Sequence, residues 1–279
     1  MDNRELRESI VKALYDVATV KWTPDREFHE VTRPVLEGKR DPYSYYRVGE
    51  TYYGMPFTKR RKVWTPAFLG AVEREVLEVP EDRLDFFGAD CTSSMIISMP
   101  RTANIPLRYL TSDFLYDRDV TTVLGPIVLD SRRLHTDAYK ERFPADDYYE
   151  GYALLGIGDV VSSCYRKPEG GMVDHSRMVS GTVRTVRDGD GKINPEESYV
   201  IVVENVAALT DMSDENNFGG KVTEDDYVVP FEPKADLTDI KSFSDLKGKK
   251  TNFRINRKIT FKSLYVNNYI PLTFNFYHR

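Results

Sequence analysis

DVVSSCYRKPEGGMVDHSRMVSGTVRTVRDGDGKINPEESYVIVVENV, residues 159–206, is the stretch on which the fold turns. Three runs within it, residues 159–165, 176–186 and 199–206, are rich in Val, Thr, Ser and Tyr and partly alternate, the pattern of half-buried strands. Asp188-Gly189-Asp190-Gly191 separates the last two as a hairpin loop would, so an antiparallel sheet is expected. Upstream, residues 3–20 place Leu6, Ile10, Ala13, Leu14 and Val17 at three- and four-residue steps, predicting an amphipathic packing helix. A helical first half before a sheet-forming second half gives α+β.

Between these parts, residues 22–65 are rich in Pro, Tyr and Gly without a sustained period and read as loops and short elements. Residues 65–77 look helical. Gly88-Ala89-Asp90 offers a turn and a capping carboxylate, so a buried helix starts at or next to Cys91 and ends before Pro100. Beyond residue 206 the sequence suggests an acidic stretch at 212–226, a last helical turn at 261–265 and an edge strand at 269–276. With no internal repeat and no Ser- or Gly-rich linker, residues 1–279 are expected to form a single domain.

The apolar fraction of 41% and the 18 Tyr and 14 Phe spread along the chain suit a globular protein. A net charge of −5 with both signs interspersed argues against a nucleic-acid partner, and the short basic run at 59–62 reads as a solvated loop. The N-terminus lacks an apolar core for a signal peptide, and no stretch has the length of a membrane span. On this reading the protein is secreted or in the cell envelope if a leader was removed, and otherwise cytoplasmic. Two cysteines are too few for a disulfide framework and lack zinc-ligand spacing.

The candidate chemistry starts at Cys91. A thiol is a good nucleophile as thiolate, and a helix N-terminus supplies a field favouring the anion and N–H groups able to hold an oxyanion. Among the four histidines, His175 differs: it opens a strand after the Gly170-Gly171 turn, where an imidazole can face a helix and keep one nitrogen for an orienting partner. The paired strand ends in Val202-Val203-Glu204-Asn205, and either polar residue could orient it. Glu204 is favoured because an anion also stabilises the imidazolium. Cys164 reads as core filling. Asp188, Asp190 and Glu197 overlay part of a calcium-loop pattern, but Pro195 interrupts it and a hairpin turn explains it better. No serine sits in a GxSxG elbow.

Gly88-Ala89-Asp90-Cys91-Thr92-Ser93 resembles the Asp-Cys-Ser segment of the papain-like NlpC/P60 peptidases, Gly158-Asp159-Val160-Val161 followed by His175 is similar to their Gly-Asp strand and histidine, and Tyr53-Gly54-Met55-Pro56-Phe57 to their tyrosine-bearing segment. The resemblance covers residues 45–206, as a core with an N-terminal helix before it and residues 207–279 as an extension. It implies a papain-like core in which a helix carrying Cys91 packs on an antiparallel sheet carrying His175, with Glu204 in the third catalytic place. It assigns Tyr52 or Tyr53, Asp90 and Thr92 to the free amine of the substrate peptide, and it implies bacterial cell-wall stem peptides as substrates. Thr92 stands where the family has Ser, and Ile157 where a Pro often precedes Gly-Asp.

The expected function is hydrolysis of an amide bond through a thioester, with no cofactor and no metal. Acyl transfer by the same residues and a non-catalytic peptide- or glycan-binding module, attached through the acidic segment 214–226, are the alternatives.

Overall fold

The computed structural model describes residues 3–29, 45–58, 65–78, 88–99, 115–128, 143–166, 172–211, 222–233 and 237–278. The basic run at 59–62, His135, the Gly170-Gly171 turn and residues 212–221 of the acidic stretch lie outside them. Helix α1 (Asn3–Ala18) buries Ile10, Leu14 and Val17 as its periodicity requires, together with Val11, Tyr15 and Ala18. Short strands β1 (Lys21–Pro24), β2 (Phe28–His29), β3 (Tyr45–Tyr46) and β4 (Tyr52–Tyr53) follow. Next come α2 (Thr65–Ala71), β5 (Val72–Glu73), β6 (Val76–Leu77), α3 (Cys91–Ser98), β7 (Thr121–Val123) and α4 (Ala145–Ala153). The chain then forms β8 (Val160–Arg166), β9 (Met172–Arg184), β10 (Tyr199–Asp211), β11 (Lys250–Thr260), α5 (Phe261–Val266) and β12 (Ile270–Phe274).

Ten strands form one mixed sheet in the order β5-β6-β1-β4-β11-β10-β9-β8-β12-β7, and β2 pairs β3 separately. The three strands expected from residues 159–206 are β8, β9 and β10, antiparallel neighbours at its centre. The sheet with its few helices is α+β in the broad sense. Among the described residues no helix is long and apolar enough to cross a membrane.

Three expectations are corrected. The helix read at 65–77 stops at Ala71; Val72 and Val76 are then drawn into a two-stranded turn with Arg74 and Glu75 at φ 50° and 65°, and β6 pairs in parallel with β1. Sheet pairing of β-branched residues here overrides an apparent helical period. The strand read at the edge, 269–276, is β12, and β7 covers its outer side. Residues beyond 206, read as an extension, hold interior strands: β11 pairs with β10 along its length and in parallel with β4.

The approach to α3 is fixed by a backbone crossing. Ala89 N–H donates to Pro56 O at 2.9 Å and Thr58 N–H to Ala89 O at 3.0 Å, a short parallel bridge of Phe57 to Ala89. At Gly88 an added Cβ would lie 1.9 Å from Pro56 O, so only glycine lets the two backbones meet. Gly88→Ala is expected to destabilise the protein by more than about 2 kcal/mol in urea unfolding. An unchanged midpoint and slope would show that the crossing is not required.

Candidate functional site

Asp90 caps α3. Its Oδ1 accepts the Ser93 N–H and the Ser93 hydroxyl, both at 2.7 Å, and the Asp90 N–H donates to Ser93 Oγ at 2.8 Å. This is a capping box with Ser at the third position, and it places Cys91, 3% exposed, as the first helical residue. Thr92 turns to the sheet, where its hydroxyl lies 3.1 Å from Ser176 Oγ; Ser176 Oγ lies 2.9 Å from Ser162 Oγ, to which Tyr116 donates at 2.9 Å.

The ladder between β9 and β10 runs from Tyr199↔Arg184 to Val203↔Met178; past that point β9 is paired with β8 and β10 with β11. The start of α3 sits at this fork. Cys91 Sγ lies 3.9 Å from the carbonyl oxygen of Asp174, in β9, and Asn205 Nδ2, in β10, donates to Ala89 O at 3.1 Å. Cys91 therefore meets the peptide that leads directly into His175.

Alternation along β9 then separates the side chains. Ser176 faces α3, whereas His175 and Arg177 project to the other face, toward Tyr269, whose ring lies edge-on 6.4 Å from the imidazole and 4.3 Å from Arg177 Cζ. There His175 Nε2 is 2.5 Å from Glu204 Oε2. Asn205, the alternative partner, points the opposite way to Ala89. Glu204 has no exposed side-chain surface; its Oε2 also accepts from Arg177 Nε at 2.6 Å, its Oε1 accepts from Arg257 Nη1, and Arg254 Nη1 stands 3.9 Å from Oε1.

A bulge in β11 makes this convergence possible. Val202 pairs with Arg257 and Glu204 with Arg254, so β10 advances two residues while β11 advances three, and Asn256 takes up the extra residue at φ 55°. In an unbroken strand Arg254 and Arg257 would face opposite sides; here both reach Glu204. Tyr15 of α1 and Ser180 of β9 both donate to Asn256 Oδ1, at 3.0 and 3.3 Å, which pins the bulge.

The protonation states follow from this packing. Burial alone would raise the Glu204 pKa, but Arg177, then His175 and Arg257, outweigh it and hold the carboxyl well below its usual range. Burial is also the main influence on His175 and lowers its pKa, with Arg177 and Arg257 acting the same way against the pull of Glu204. A carboxylate only accepts, so a neutral His175 donates from Nε2 and keeps a lone pair on Nδ1. Arg257 is pushed down to about 10, chiefly by burial.

Of the residues singled out in the sequence, the structure joins His175 to Glu204 and sets Cys91 against the backbone before His175. It gives Asp90 a capping role and Thr92 a place in the hydroxyl chain. Tyr52 and Tyr53 lie elsewhere: the Tyr52 ring packs on Trp22 and its hydroxyl donates to Glu50, while the Tyr53 hydroxyl donates to Asp239 beside an open depression that Lys21 and Lys249 also line. Cys164 is buried in the core, and the two cysteines form no disulfide. Residues 188–191 are a hairpin turn, with Asp188 Oδ1 accepting from the N–H groups of Asp190 and Lys192.

Sequence reasoning did not find Arg177, Arg254, Arg257 or Tyr269. Arg177 was within reach, since two residues along a strand from His175 means the same face. Compared with family models, with curated proteins and with solved structures, the chain matches none of them.

Two outcomes are expected. Glu204→Ala, which strands the buried cations, should cost about 3–5 kcal/mol in urea unfolding. His175 and Glu204 both have folded pKa values below the ordinary 6.5 and 4.5, so the stability they lend is complete above those values and is lost as pH falls through the folded ones. Unfolding free energy should therefore decline on acidification from about pH 7, and His175→Gln should flatten the part of the decline that begins near the ordinary imidazole value. A stability that rises between pH 7 and 5 would contradict this.

Proposed function

We propose that the chain is a cysteine hydrolase that cleaves an amide bond through Cys91, His175 and Glu204, with cell-wall stem peptides as the substrate class. The observation that carries this reading is the 2.5 Å contact of His175 Nε2 with Glu204, made at the one point of β9 where the preceding carbonyl touches the Cys91 sulfur. The substrate class rests on the resemblance to NlpC/P60 peptidases.

In this mechanism the Cys91 side chain turns about χ1 from the Asp174 carbonyl into the fork between β9 and β10. Nδ1 of His175 takes the thiol proton, and the thiolate attacks the amide carbon. Backbone N–H groups at the start of α3 hold the oxyanion. The C–N bond breaks as the imidazolium returns its proton to the leaving amine, leaving a thioester on Cys91. Water, deprotonated by the same imidazole, then releases the acid. Glu204 fixes the ring and balances its charge in each half.

Stem peptides incubated with the protein should yield fragments, and Cys91→Ala should lower the rate by about a thousandfold or more. Iodoacetamide should label Cys91 ahead of Cys164 near neutral pH, and His175→Ala should slow that labelling. Undiminished cleavage by Cys91→Ala would remove the nucleophile from the proposal.

A further inference from the structure

Four hydroxyls run in a row from the core to the Cys91 sulfur. Tyr116 donates to Ser162 Oγ at 2.9 Å, and Ser162 Oγ lies 2.9 Å from Ser176 Oγ. Ser176 Oγ lies 3.1 Å from Thr92 Oγ1, which lies 3.9 Å from Cys91 Sγ. Register builds the row: Ser162 and Ser176 are direct partners across β8 and β9, on the face to which Thr92 turns. All four residues are buried, Ser162 and Ser176 with no exposed surface, so each hydroxyl hydrogen needs an acceptor inside the protein.

Counting hydrogens gives the row a direction. Each hydroxyl has one to donate, and Tyr116 gives its own to Ser162. Among the described residues the hydroxyls of Ser162, Ser176 and Thr92 have no hydrogen-bond partner outside the row and the sulfur. Ser162 therefore donates to Ser176, Ser176 to Thr92, and Thr92 to the sulfur. The opposite order would leave the Ser162 hydrogen without an acceptor at a residue that water does not reach, a costly arrangement. The thiol hydrogen points elsewhere, to Asp174 O at 3.9 Å.

A neutral thiol is a weak acceptor, and its 3.9 Å contact with Thr92 is long. A thiolate is a strong one: charge-assisted hydrogen bonds are shorter and about twice as strong as neutral ones, and donors aligned head to tail polarise one another. The row thus favours the anion while the sulfur lies against Asp174. The titratable and charged groups around it are Asp90 at the start of α3, Asp174 on β9, and His175, Arg177, Glu204 and Tyr269 toward the other face.

We propose that Thr92 is the hydrogen-bond donor to the Cys91 thiolate and that Ser176, Ser162 and Tyr116 are positioning residues that aim its hydroxyl, so that the sulfur is charged from the face opposite His175. Its use in catalysis rests on the hydrolase reading; the charging of the sulfur does not.

The test follows the ultraviolet absorbance of the thiolate across pH in the folded full chain, each form being compared with the same form carrying Cys91→Ser. None of the substitutions alters the titratable groups named above except Tyr116→Phe, which removes a phenol that titrates well above neutral pH. Thr92→Val should lower the ionised fraction of Cys91 at pH 7 about tenfold, and Thr92→Ser should restore most of it. Tyr116→Phe, which keeps the ring in the core, should lower it about twofold, a change that a purely packing role would not produce. An ionised fraction unmoved by Thr92→Val, no rescue by Thr92→Ser, or a loss that Tyr116→Phe does not share overturns the row; should Thr92→Val fail to fold, an unmoved fraction in Tyr116→Phe does so. Shifts as expected in a protein that cleaves no stem peptide would leave the row standing and remove the hydrolase; Cys91-dependent cleavage with an unmoved fraction would do the reverse.

Discussion

A carboxylate with no exposed surface sits at the centre of the sheet and organises what surrounds it. Moving an anion out of water costs several kcal/mol, and Glu204 remains ionised because cations from both adjoining strands meet it, Arg177 from β9 and Arg257 from β11. The interaction is therefore a register lock as well as a charge balance. A one-residue slip of either neighbour would turn its arginine to the wrong face and leave the carboxylate unmatched. The imidazole is held by the same group, so the geometry of the candidate site and the pairing of the central strands have a common cause.

The second organising element is the fork between β9 and β10. Strands that stayed paired would exclude the start of α3; by parting after Val203↔Met178 they admit it, with Asn205 holding Ala89 from one side and Asp174 O meeting the Cys91 sulfur from the other. The chain preceding the helix is held in turn by the crossing at Gly88 and Pro56. Cys91 and His175 thus meet one stretch of backbone from opposite faces.

Much of this was legible in the sequence where local chemistry and tertiary need coincide. Asp90 and Ser93 specify a helix start whatever packs against it, and the Val-rich runs of β8 and β10 and the Asp-Gly turn between β9 and β10 behave likewise. The strand β11 was not legible. Lys250, Arg254, Arg257 and Lys258 make it look solvated, and the bulge at Asn256 breaks the alternation that would have marked it. Arg254 and Arg257 are met by Glu204 on the neighbouring strand and Lys258 by Asp226, facts that local pattern cannot carry. The same limit explains Arg254 and Arg257 as missed site residues, and the misread 65–77 segment, where pairing with β1 rather than local period decides the outcome. The tyrosines of the 52–53 segment are engaged elsewhere for another reason: an aromatic cluster with Trp22 and Tyr46 takes up the first ring and Asp239 the second hydroxyl.

The placement of Arg257 fifty-three residues after Glu204 sets the order in which the molecule can mature. On a ribosome, β8, β9 and β10 emerge as a ready antiparallel trio while their central acid still lacks one of its two bonded cations. At about 5–20 residues per second, several seconds pass before β11 arrives to close the ring. During that interval the nascent sheet has an open side and an incompletely compensated acid, so a chaperone's access, and the fate of any prematurely terminated chain, would be decided there.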